Sequence, residues 1–164
     1  MRDGHNVARE GLIAGAIGAT GVALWFLIVD TVAGQPFHTP TVLGSALVSV
    51  FGSAPGDGAP TFIIAYTVFH YAVFAGLGIL LTFVVHQAEA EPSMLAVFLI
   101  LFIIFELGFY GLVAILAETR FLGSMAWYQI ALGNLVAALL MGVYVWRSHP
   151  ALSEELAQAF GSES

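Results

Sequence analysis

Four apolar runs, each long enough to cross a bilayer, constrain this chain more than anything else in it: Gly11 to Val29, Thr61 to Val85, Met94 to Ala117 and Leu122 to Trp146. At about 1.5 Å of rise per residue, even the shortest approaches the ~30 Å of the hydrocarbon layer. The first is followed by Asp30 and by Thr31-Val32-Ala33, which loosely resembles a signal-peptide cleavage site. Signal cores are only about 7–15 residues long, so the run reads as a retained helix. A membrane barrel is excluded because barrel strands alternate lipid-facing and lumen-facing residues, and these runs are continuous.

The predicted fold is an all-α membrane protein, a four-transmembrane-helix bundle in one domain over 1–164, with spans at about 11–33, 61–85, 93–117 and 122–146. Composition agrees: 59% of the residues are hydrophobic and only 9% charged, against roughly a quarter charged in a soluble domain. Four crossings consume nearly all of the length, which leaves no room for a separate catalytic domain. Any chemistry has to sit in or beside the bundle.

Four arginines and no lysine stand against eleven acids, for a net charge of -7. That balance argues against nucleic acid and against recruitment by anionic headgroups. Arg2 and Arg9 precede the first run, Arg147 follows the last, and Arg120 alone lies in the third connection. Both termini are therefore expected to be cytoplasmic, in a bacterial-type inner membrane. Trp146 beside Arg147, and Trp127 with Tyr128, have the character of interface anchors.

The connection 34–60 is the longest and falls outside in this topology. Within it Thr39-Pro40 has the form of a helix start, Gly52 of a stop, and Val42, Leu43, Ala46, Leu47, Val50 and Phe51 recur at helical spacing. A short interfacial helix over 40–51 is expected, leading into a flexible return through Pro60. After Pro150, Leu152, Leu156 and Phe160 form one stripe of a short amphipathic tail, 150–164.

Lipid tails are as apolar as leucine, so membrane helices associate through close backbone approach and hydrogen bonds. Gly11, Gly15 and Gly18 in the first run, and Gly133 and Ala137 with Ala131, Ala138 and Gly142 in the last, mark such contacts. They would serve packing within the chain or between chains. The third run is bulky all round from Phe98 to Phe105 and must face lipid or another subunit.

Ionisable groups inside apolar runs are costly and carry the information about function. Glu106, Asn134 and His70 lie at similar depth on three different runs, with Tyr66 one turn from His70 and Tyr110 one turn from Glu106. These five are expected to form an intramembrane polar cluster. It serves either to fix helix register or to act as a proton relay, an ion site or, through His70, an axial ligand.

One histidine and one carboxylate fall short of a catalytic zinc set, so no metal is assigned and the cofactor is left open. His86 is about sixteen residues beyond His70, too distant for bis-histidine haem ligation. At the outer mouth, Asp30, His38, Glu118 and Arg120 are expected to approach one another. There is no cysteine, nucleophile elbow, phosphate loop or HExxH pattern, which makes a hydrolase or nucleotide-driven pump a poor fit. The expected role is a non-catalytic accessory or scaffold subunit that meets membrane lipids and other membrane subunits or a second copy. The alternatives are a proton- or ion-coupled carrier and a redox or pigment-binding subunit.

Overall fold

A computed structural model describes residues 4–51, 58–88, 100, 103 and 127–149. Its described elements are all helical: α1 (Gly4–Val32), α2 (His38–Phe51), α3 (Ala59–Ala88) and α4 (Trp127–Ser148). Three of them, over Val7–Val32, Ala59–Gln87 and Tyr128–Ser148, are long and apolar enough to cross a membrane. The chain is accordingly a helical membrane protein. The expected span 93–117 and the tail 150–164 lie outside the described residues, residues 100 and 103 excepted.

The helix α1 is the hub. It packs along α3 and α4 and also touches α2, whereas the backbones of α3 and α4 hardly approach one another. The pairings give the directions. Along α3, Gly11 faces Gly78 and Ile79, Gly15 faces Phe74 and Ala75, and Ala19 faces His70, so the two helices are antiparallel. Along α4, Glu10 meets His149, Gly18 meets Met141, Gly21 meets Leu140 and Trp25 meets Gln129, which is antiparallel again. Thus α3 and α4 run parallel to each other on two sides of α1.

Close approach sets the α1–α3 seam. A Cβ on Gly78 would overlap the Gly11 carbonyl oxygen and lie 2.9 Å from the Gly15 Cα, and a Cβ on Gly15 would overlap the Phe74 carbonyl. Backbone therefore touches backbone, with no side chain between. The α4 seam is looser: Gly133 admits the rings of Trp25 and Phe26, and Ala137 is buried among Val22, Phe26 and Ile130. Phe74 packs against this group and against a second one, Ala14, Val85, Met141 and Val145, so one aromatic ring fills the space where three helices converge.

The short helix lies against α3, with Gly44 directly over the Phe62 carbonyl. It begins at His38, one residue before Thr39. Phe37 just ahead of it has a φ of 65°, in the left-handed region that a bulky residue enters only at a cost. Gly52 lies outside the described residues.

The backbone seam makes a sharp prediction about two glycines of one helix. Among the described residues, Gly76 has nothing within 4 Å of an added Cβ, whereas Gly78 abuts α1. Gly78→Ala should lower stability by about 1–3 kcal/mol, the usual cost of overpacking, and Gly76→Ala should not; denaturation of the detergent-solubilised variants measures the difference.

Candidate functional site

His70 is the one strongly polar side chain buried at mid-depth in α3, and it points at α1. Its Nε2 lies 3.0 Å from the Ala19 carbonyl oxygen. A carbonyl only accepts, so Nε2–H donates and Nδ1 carries the lone pair. The Tyr66 hydroxyl lies 3.5 Å from that Nδ1, at the outer limit of a hydrogen bond, and the two rings stack with centroids 5.4 Å apart. Phe74 closes the other side, its ring centroid 4.7 Å from the imidazole.

The imidazole thus ties α3 to α1, with its neighbours in α3 holding its orientation. Axial ligation through either nitrogen would require one of these contacts to break. Of the expected cluster, Tyr66 and His70 come together. Asn134 is half-buried on α4 beside Gly133, on the stretch that meets Trp25 and Phe26. Glu106 and Tyr110 lie outside the described residues.

A cavity of about 260 Å³ lies beneath α2, lined by Thr20, Phe26, Asp30, Thr39, Tyr66 and His70 among others. Its walls are mostly apolar, and several polar atoms at its margins are engaged in hydrogen bonds, some within one helix and some between helices. Thr20 Oγ1 lies 2.9 Å from the Tyr71 hydroxyl. Asp30 is 4% exposed, and its two carboxylate oxygens accept from the Thr39 backbone N–H and the Thr39 hydroxyl, both at 2.8 Å.

Asp30 therefore caps a helix other than its own. The first N–H groups of a helix have no partner within it, and the negative end of a carboxylate suits the positive end of the helix dipole. Thr39-Pro40 does mark the start of the short helix, but the capping oxygens come from Asp30 at the end of α1. Of the remaining outer-mouth residues, His38 is exposed, and Glu118 and Arg120 lie outside the described residues.

At the opposite end three more side chains converge. His149, just past α4, lies with Nε2 2.8 Å from the Glu10 Oε1 of α1. His86, in the last turn of α3, meets the His149 ring edge-on with centroids 4.7 Å apart. One coordinating atom from each of the three falls within 4.8 Å of the others. Sequence reasoning passed over Glu10 and His149 because they sit among the charged residues flanking the spans. The available signal was positional: each is at the same-side end of its run, as is His86.

No family model, curated protein or solved structure matches the chain, so its reading rests on this geometry.

The Asp30 cap is open to measurement. Hydrogen bonds to a charged group contribute about 1.5–3 kcal/mol. Asp30→Ala should lose that much stability, and Thr39→Val in the same background should cost little more, the non-additivity expected of one shared interaction.

Proposed function

We propose that the chain is a small non-catalytic accessory or scaffold subunit of a larger membrane complex. In this reading it crosses a bacterial-type inner membrane four times with both termini cytoplasmic. The parallel course of α3 and α4, which are joined through residues 89–126, supports a fourth crossing, because the chain must regain the face from which α3 set out. The cytoplasmic placement of the ends is supported by Arg2 and Arg9 ahead of the first apolar run and Arg147 in the last turn of α4. The position of α2, between α1 and α3 on the other side, supports its place at the outer interface.

The observation that carries the subunit reading is the outward face of α4. Ala138 and Gly142, one turn apart, are both exposed, and among the described residues nothing lies within 4 Å of a Cβ added at Gly142. Leu139, Val143, Trp146 and Arg147 border the resulting groove. On α1 the same pattern of small residues is filled by α3, and a membrane helix gains stability from such a groove only when another backbone enters it. A transmembrane helix fits that shape, and in this reading it comes from a partner subunit or a second copy.

Gly142→Leu should therefore release the partner in mild crosslinking of native membranes while leaving the isolated protein as stable as before. A wild-type protein that runs as a lone monomer, with no crosslinked neighbour, overturns the reading.

A second reading, a proton- or ion-coupled carrier, is supported by the cavity that reaches Tyr66 and His70, with Glu106 as the expected companion. It requires that flux in proteoliposomes be abolished by His70→Ala; flux that survives the change excludes it.

A further inference from the structure

We propose that Glu10, His86 and His149 bind a divalent ion of the first transition row, zinc foremost, at the end of the bundle where α1 begins and α3 and α4 finish. Such a site is independent of the subunit reading and stands or falls separately from it.

The donor set is two imidazole nitrogens and one carboxylate: Glu10 from α1, His86 from α3 and His149 from just past α4. That composition suits zinc and its neighbours rather than the hard ions magnesium and calcium, which take oxygen ligands almost throughout. Three protein ligands with a fourth position left to water is a common zinc arrangement.

Two features go beyond what an ion pair between Glu10 and His149 needs. First, the His86 Nδ1 lies 2.9 Å from the Thr82 carbonyl oxygen. A carbonyl cannot donate, so Nδ1–H does, and Nε2 is left with its lone pair for coordination. Metal-bound histidines are held in just this way, with the distal nitrogen donating to a carbonyl or carboxylate. Second, Thr82 is fully buried one turn below His86, and its Oγ1 has no hydrogen-bond partner among the described residues. A buried hydroxyl in that state calls for a polar companion, and water carried by the ion is of the right chemistry.

The required rearrangement is small. Tetrahedral bonds of about 2.0 Å place ligand atoms about 3.3 Å apart. The Glu10 Oε1 and His149 Nε2 atoms are now 2.8 Å apart, and one potential ligand atom from each of the three residues lies within 4.8 Å of the others. Zinc entry releases the proton of the His149–Glu10 hydrogen bond to water, opens that contact by about half an ångström, and draws in His86.

The test uses the full chain in detergent, made without a polyhistidine tag, stripped with a chelator and titrated with cobalt(II) and then zinc. The expected result is one cobalt per chain, with the visible bands of a tetrahedral complex, displaced by zinc, and a thermal unfolding midpoint that rises with zinc.

Both His86→Ala and Glu10→Gln should weaken binding by more than about tenfold, the smallest loss typical even of groups that only support a ligand. His86→Ala keeps the Glu10–His149 contact, so its metal-free unfolding midpoint should stay near the parent's while the zinc-dependent rise disappears. Absence of stoichiometric cobalt binding, or equal affinity in His86→Ala, overturns the proposal and leaves the cluster as an ion pair with an aromatic neighbour.

Discussion

Contact of backbone with backbone between α1 and α3 is the constraint on which the remaining architecture depends. In lipid, bringing two leucine-covered helices together gains little, because the acyl chains they leave are equally apolar. The gain comes from dispersion at short range, and Gly11, Gly15 and Gly78 permit it by presenting no side chain at the seam. With the helix axes so close, the Ala19 carbonyl comes within reach of His70, and the Thr20 and Tyr71 hydroxyls meet. A wider separation would place both pairs beyond hydrogen-bonding distance.

The polar side chains then act as directional ties at three levels of the bundle. At one end Asp30 holds the first turn of α2, in the middle His70 fastens α3 to α1, and at the other end Glu10 meets His149. Trp25 adds a fourth, donating its indole N–H to the Gln129 carbonyl of α4 at 2.9 Å. Apart from the stronger Asp30 cap, interhelical hydrogen bonds of this kind in membranes average only about 0.6 kcal/mol each. They contribute less to cohesion than to register, since each is satisfied at one sliding position of the helices and broken at the next.

Much of this was legible in the residues. Long uncharged runs marked α1, α3 and α4, and the change from apolar run to Thr39-Pro40 marked the short helix to within a residue or two. The stripe Gly11, Gly15, Gly18 announced a close contact, yet spacing could not say that α3 fills its first part and Met141 of α4 its last. Depth along a helix is readable from residue number, and it brought Tyr66 to His70. Direction around the helix axis is harder to read, and spacing gave no sign of the Ala19 carbonyl that His70 also meets, an atom of a kind present at every position. Asp30 and Thr39 belong to the same difficulty: a cap supplied from the preceding helix depends on a turn geometry, including the left-handed Phe37, that composition does not encode. The convergence of Glu10, His86 and His149 needed three helix ends to finish at one level, which the limits of apolar runs fix only loosely.

The order of contacts along the chain also bears on how the molecule comes to be assembled. Everything that α1 offers to α2 and α3 has been synthesised by residue 88, so this helical hairpin, with its glycine seam and its Asp30 clasp, can dock while the ribosome is still translating the remaining residues. The last helix then has a finished surface to recognise, and it is His149, beyond its C-terminal end, that completes the three-residue convergence. Because that residue leaves the ribosome after every helix it joins, meeting Glu10 across the bundle is a late event in biogenesis, one that reports that the preceding helices have taken their places.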